Sequence, residues 1–431
     1  MMMKKLFTLF LLLLAVSAMA KSQVTPKKTW KLAVLSDVHL MAPQLLVKNG
    51  PAFERYLDGD RKLLKESPEI LDSITTRVLR ENPQVVFICG DLTKDGELAS
   101  HKLLRQRYIA QMLKKGIKVF VIPGNHDVNN PHAVTYNGDN TQRTTTVTPA
   151  QFASIYKDCG YGSALSRDKA SLSYVAQLAP GLRLLALDAC RYEDNDYDKD
   201  LCVTSGRLKP ATIDFIRTEV AKAKKAGCRV IAMMHHGVVP HFSLEGKVLS
   251  EYLVNDYERV GQLLDSLGVR VVFTGHLHSQ DAARSGSITD VETGSTVSYP
   301  HPYRIITVSD KEMTIHTNRL PQIASLAKQG ISMTDKSKHF AMLSVEKMAA
   351  AYLPKETPAP AVKAIGDMLG QAYIIDLYGD EHPDATFLQS KQRVVDAISL
   401  FDPDKAKLVD AIATSLTTDM PPADNDLVIE Y

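Results

Sequence analysis

Ten side chains in this sequence share one chemistry and one setting. They are Asp37 and His39; Asp91; Asn125, His126 and Asp127; His235 and His236; His276 and His278. Carboxylate, imidazole and amide oxygen together suit divalent borderline metals such as Zn, Mn, Fe or Ni. The set holds no thiolate, and the five cysteines show no Cys-x-x-Cys spacing. Each group ends a short apolar run: KLAVLSDVH (31–39), VVFICGD (85–91), VFVIPGNHD (119–127), VIAMMHH (230–236) and VVFTGHLH (271–278). The pair His276 and His278 is the sharpest case. Residues two apart in an extended chain share a face, so both imidazoles are expected to aim at one spot. Taken singly, a strand-end histidine or an aspartate after glycine says little. Five such groups in succession say more.

These residues need elements to carry them. The five runs are short and rich in β-branched and aromatic residues, which predicts strands buried on both faces. Helical spacing lies between them. Ser67-Pro68 opens a helix over 67–82, with Ser67 as N-cap and Ile70, Ile74 and Val78 on its apolar stripe. Helices over 101–116 and 214–227 end at Gly116 and Gly227. Strand, helix, strand predicts a mainly parallel sheet, and ligands bind outside the carboxyl ends of such strands. Residues 170–190 and 284–318 alternate around turns and read as antiparallel hairpins. Polar insertions at 41–66 and 129–149 follow two of the groups directly and are expected as loops overhanging the site. Beyond about residue 320 the spacing is helical near 336–352, 361–378, 387–400 and 403–417, with Asp402-Pro403 as a start and Pro354, Pro358 and Pro360 as breaks. A packing and stability cap is the reading of that region.

The ordered pattern D-x-H, G-D, G-N-H-D, H and G-H-x-H resembles the calcineurin-like metallophosphoesterase family. Here it stands as Asp37-Val38-His39, Gly90-Asp91, Gly124-Asn125-His126-Asp127, His235 and Gly275-His276-Leu277-His278. GDLTKDGELASH (90–101) is similar to the extended form seen in many bacterial members. The resemblance covers about residues 30–310. It implies an α/β fold, a four-layer α/β/β/α sandwich of two mixed sheets, here followed by a small helical C-terminal region. It implies two metal ions, one on Asp37, His39, Asp91 and His278, the other on Asp91, Asn125, His235 and His276, with Asp91 bridging. His235 is chosen over His236 by analogy, and the reverse stays open. Two cations about 3.5–4 Å apart can activate a bridging water for in-line attack on phosphorus. His126 is the expected proton donor to the leaving group, with Asp127 orienting its ring. The implied activity is phosphoester hydrolysis, with a phosphodiesterase first, a phosphomonoesterase of acid-phosphatase type second, and a noncatalytic scaffold third. Substrate choice would rest in loops 41–66, 129–149, 191–205 and 237–255. Phe53, Tyr56, Tyr136, Tyr192, Tyr197 and Phe242 could stack on or cover a substrate group. His101, His132 and His241 read as surface histidines near the motifs.

The rest of the chain sets bounds. Its 431 residues exceed one typical core, and 45% hydrophobic with 23% charged residues describe a globular protein. MMMKK followed by LFTLFLLLLAVSA and Ala18-Met19-Ala20 reads as a signal peptide, which implies a periplasmic or secreted enzyme. The organisation expected is signal peptide 1–20, metallophosphoesterase domain 21–320 and helical region 321–431. No later stretch is long enough for a membrane span. Removing Lys4 and Lys5 from 51 basic residues leaves them equal to the 49 acidic ones. That balance gives no global attraction to nucleic acid and leaves a small phosphoester as the partner. Cys190 and Cys202 flank a polar loop and are the nearest candidates for a disulfide, while Cys89 and Cys228 read as buried thiols. Expression of the full chain in a secreting host should yield a product beginning at Lys21 by intact mass. A product retaining residues 1–20 in the soluble cytoplasmic fraction would remove the case for export.

Overall fold

The computed structural model describes residues 29–431 apart from 59 and 354; the signal peptide expected at 1–20 lies outside them. All five apolar runs form strands, divided between two mixed sheets as the family resemblance implies. The first sheet contains β1 (Trp30–Leu35), β3 (Val85–Cys89), β4 (Lys118–Ile122), β14 (Pro302–Val308), β15 (Glu312–Arg319) and β16 (Asp426–Glu430), in the order β16-β15-β14-β1-β3-β4. The second contains β7 (Ser166–Arg167), β8 (Tyr174–Ala179), β9 (Leu182–Leu187), β10 (Arg229–Met234), β11 (Val271–Thr274), β12 (Ala282–Ser285) and β13 (Ile288–Glu292). Its order is β12-β13-β11-β10-β9-β8-β7. The first sheet is parallel over β1-β3-β4, with β4 at its edge, and antiparallel through β14, β15 and β16 on the other side; the second has a parallel centre, β9-β10-β11-β13, with antiparallel strands at both edges.

Alternation along β10 shows how the layers stack. Ile231 and Met233 face inward, into the core shared with Phe87 and Phe120 of the first sheet. Val230, Ala232 and Met234 face outward, onto Ile216, Val220 and Ala223 of helix Pro210–Lys225. On the far side Ile70, Ile74 and Val78 of helix Ser67–Glu81 cover the first sheet. Helix, sheet, sheet, helix is the α/β/β/α sandwich. Phe87 and Phe273 meet across the middle, ring centroids 5.8 Å apart.

Some local expectations change. The N-cap position of helix Ser67–Glu81 is Glu66, whose side chain makes no capping bond, and the Ser67 hydroxyl instead donates to Leu64 O and accepts from Met41 N. The insertions are not plain loops. They form a third sheet, β2 (Leu46–Lys48), β5 (Val134–Asn137) and β6 (Asn140–Arg143), over a cluster that includes Phe53, Leu64 and Tyr136. Cys89 is buried as expected, but Cys228 is only half-buried, at a helix-to-strand turn. All five thiols are free, Cys190 and Cys202 included.

The C-terminal region forms helices Met333–Tyr352, Ala359–Tyr378, Ala385–Ser399 and Pro403–Ser415, the last capped by the Asp402 carboxylate on Lys405 N. It then returns as β16 to extend the first sheet, a strand that the helical spacing did not announce. Among the described residues no helix is long and apolar enough to cross a membrane. Leu427 and Ile429 face the core, whereas Val428 is 53% exposed. Ile429→Ala should cost about 2–4 kcal/mol in urea denaturation and Val428→Ala under about 1 kcal/mol. Equal costs would mean that β16 does not hold this register.

Candidate metal centre

The five motifs sit just past the carboxyl ends of β1, β3, β4, β10 and β11, where the parallel centres of both sheets end. His276 and His278 are not strand residues, since β11 stops at Thr274. Their convergence comes from left-handed backbone, φ 83° and 76°, rather than from strand alternation. Asp37, His39 and Asp91 also have positive φ, at 48°, 36° and 46°. Such conformations are disfavoured for residues with a Cβ and concentrate at functional sites.

Two donor groups result. Asp37, His39, Asp91 and His278 place donor atoms within 4.8 Å of one another, and so do Asp91, His235 and His276. Asp91 belongs to both. In the first, His39 Nε2 and His278 Nε2 are 3.2 Å apart, His278 Nε2 is 3.3 Å from Asp37 Oδ1, and His39 Nε2 is 3.5 Å from Asp91 Oδ2. In the second, His235 Nε2 is 3.2 Å from Asn125 Oδ1 and 3.5 Å from Asp91 Oδ1. Donors bonded to one ion at about 2.0–2.2 Å and near-tetrahedral angles are separated by about these spans. Asp37 Oδ1 is buried with no hydrogen-bond donor. Orphaned oxygen, facing imidazole nitrogens and a shared carboxylate fit a pair of borderline divalent ions.

His236 turns away from this group. Its Nε2 lies 2.9 Å from Thr204 O, and burial followed by the neighbouring His235 lowers its pKa to about 3. His235 is oriented by Cys89 O, 2.9 Å from its Nδ1, a contact that joins the two sheets. Burial pulls the Asp91 pKa up, but His235, His126 and His39 outweigh it and hold it well below the usual carboxylate range.

The partner of His126 differs from the one expected. Asp127 does not touch the ring. Its carboxylate accepts from Leu92 N, Thr93 N, Gly124 N and the Thr93 hydroxyl, pinning the loop after β3 to the loop after β4. The ring's Nδ1 instead meets Asp95 Oδ1 at 2.8 Å. Asp95 is backed by buried Lys94, which also pairs with Glu97 and lies over the Tyr56 ring. The stretch GDLTKDGELASH carried this signal in its alternating charges. It could not be read as buried before the sheets were placed.

Other residues shift roles as well. Phe53, Tyr136, Tyr192 and Phe242 are buried, Tyr56 hydrogen-bonds Asp95, and only Tyr197 of the six rings is exposed. His101 and His241 are buried rather than at the surface. His101 meets Tyr156 OH and Asp127 O, and His241 meets Asp281. His132 is half-buried, with its Nε2 2.9 Å from Asp200 O. Arg61, which the motifs do not contain, donates from Nε to His278 Nδ1 at 3.3 Å and lies over the Tyr373 ring of the C-terminal region.

The family model for calcineurin-like phosphoesterases matches residues 31–280. The chain belongs to this family. It is 37% identical over 67 residues to a curated protein described as "Probable cyclic nucleotide phosphodiesterase" from Vesicomyosocius okutanii subsp. Calyptogena okutanii (strain HA). That match spans 16% of this chain and 27% of the relative's length. The fold is shared with a dimetal phosphatase from Danio rerio at TM-score 0.50 and 16% identity, covering 67% of this chain and 96% of that one.

The rim tolerates no extra atom at Gly275. A Cβ there would lie 1.9 Å from Ser36 Oγ and 2.4 Å from Asp37 Oδ2. Gly275→Ala should therefore lower the thermal midpoint and the bound metal together. An unchanged metal content by elemental analysis would separate Asp37 from the metal-holding group.

Proposed function

We propose that this phosphoesterase-family chain is a dinuclear metal-dependent hydrolase acting first on phosphodiesters. The observation that carries this is the pair of donor groups sharing Asp91, with His126 beside them. In this reading Asp37, His39, Asp91 and His278 hold one ion, and Asp91, Asn125, His235 and His276 hold the other. When bound, such ions supply a water acidic enough to act as nucleophile near neutral pH and positive charge against the phosphoryl oxygens. Elemental analysis should find two ions per chain drawn from Zn, Mn, Fe and Ni.

The chain's own part is positioning and proton delivery. His126 is 24% exposed at its side chain, while those of His39 and His235 are fully enclosed, so it can reach a leaving group. Burial opposes its protonation, but Asp91 and the Asp95 hydrogen bond outweigh that and raise its pKa. A ring held by Asp95 through Nδ1 keeps Nε2 free to hand a proton to the leaving oxygen. Asp127 is a positioning residue for the loop, not for the ring. Support for a diester comes from the short curated match. Support for a phosphomonoester, the second reading, comes from the Arg61 guanidinium fixed against His278, a cation that suits a dianion. Supporting a reaction in the periplasm or outside the cell is the basic and apolar start of the chain with Ala18-Met19-Ala20, read as an export signal.

Turnover of bis-nitrophenyl phosphate should exceed that of nitrophenyl phosphate and vanish on chelation. Asp91→Ala should remove both activities and lower bound metal. His126→Ala should slow alkyl leaving groups about 10²–10⁴-fold and nitrophenyl leaving groups far less. Equal losses on the two would end the proton-donor assignment, and no turnover with metals bound would favour a scaffold.

A further inference from the structure

About three residues past His278 the chain enters a second acidic neighbourhood, unconnected with the motifs. Asp281 precedes β12, Glu381 follows helix Ala359–Tyr378, and Asp424 precedes β16. Their carboxylate oxygens lie within 4.8 Å of one another, and the residues are 2%, 6% and 0% exposed. Three anions buried together cost several kcal/mol unless something compensates them.

The protein supplies little compensation. His241 Nδ1 lies 2.9 Å from Asp281 Oδ1. Asp424 accepts from the backbone N–H groups of Ala282 and Asp380, which orient it without neutralising it. The nearby buried Arg304 is spent elsewhere: it donates to the carbonyls of Asp281, Glu292 and Asp424 and to the Thr317 hydroxyl. Among the described residues no Lys or Arg forms an ion pair with any of the three carboxylates. Independently, Glu381 Oε1 is buried with no hydrogen-bond donor at all. An unpartnered oxygen on a carboxylate that shares this enclosure marks a missing positive partner.

We propose that Asp281, Glu381 and Asp424 form a third cation site, for calcium, which fastens the C-terminal helical region to the second sheet. The donors are all oxygen, as hard cations prefer, with none of the imidazole that marks the catalytic pair. Magnesium keeps several waters in its shell, whereas calcium accepts an irregular set of carboxylates and carbonyls. The enclosure suits calcium. The segments are pressed close enough to share an ion: a Cβ on Gly379 would fall 2.1 Å from Gln280 O. Burial and then Asp281 push the Glu381 carboxyl up to about 10 and the Asp424 carboxyl up to about 8, so in the absence of the cation protons take its place.

The test uses the full chain with its catalytic metals already loaded. Equilibrium dialysis followed by elemental analysis should find one additional calcium per chain. The thermal midpoint should rise with calcium and then level off, with magnesium at the same concentration doing far less. Glu381→Gln, which keeps the shape and removes the charge, should weaken the additional calcium at least tenfold and abolish the shift. Glu381→Ala serves the same purpose should the first variant fold poorly. No additional calcium on the natural protein, undiminished calcium on both variants, or magnesium bound as tightly would each overturn the proposal. None of these readouts depends on phosphoester turnover.

Discussion

Burying the Asp91 carboxylate between the ends of two sheets obliges the chain to surround it. At 1% exposure it has almost no water to turn to, and a lone buried carboxylate is among the costliest features a fold can hold. The compensation arrives from four directions. The His126 backbone donates to Oδ1 at 2.9 Å, and the rings of His39, His126 and His235 stand 3.5–3.9 Å from its oxygens. Those partners come from the ends of β1, β4 and β10, so satisfying one carboxylate fixes the relative position of both sheets. The His235 contact to Cys89 O repeats the link two residues earlier in the chain. Much of the rim can be understood as what remains possible once Asp91 is enclosed.

The order of the motifs was legible because each follows an apolar run short enough to be a strand and ends in residues too polar to continue one. Asp37, His39, Asp91, Asn125, His235, His276 and His278 all reach the same rim. What periodicity could not show was pairing. That the runs divide between two sheets came from the family resemblance and not from periodicity, because strand order is decided by long-range contacts that leave no mark in a single window. The same blindness misassigned the partner of His126. Asp127 is adjacent in sequence, but the backbone turns its carboxylate onto Leu92 and Thr93, and Asp95 arrives from another loop. Buried Lys94, Glu97, His101 and His241 were read as surface groups or left unread, since charge alone signals exposure until a partner is in view. Strand β16 was missed because a five-residue strand after four helices carries little pattern of its own.

The helical region is tied to the catalytic half by more than apolar packing. Ser279 donates to Asp376, and the His301 ring sits 3.0 Å from the Ser337 hydroxyl. Tyr373 lies under Arg61, which in turn donates to His278. Tyr373 of the helical region thus sits two contacts from the metal centre. Helices that look like a cap in sequence form part of the wall behind Arg61 and His278.

The strand Asp426–Glu430 pairs with β15 along its whole length. On the ribosome, the outer edge of β15 emerges well before its neighbour exists, because the entire helical region must be made first. At 5–20 residues per second that interval is roughly 5–20 s. For that time a strand with unpaired amides is open to any extended segment nearby, its own chain's or another's. A molecule still emerging is therefore open to wrong pairing at this edge after the motif-bearing strands have already been made.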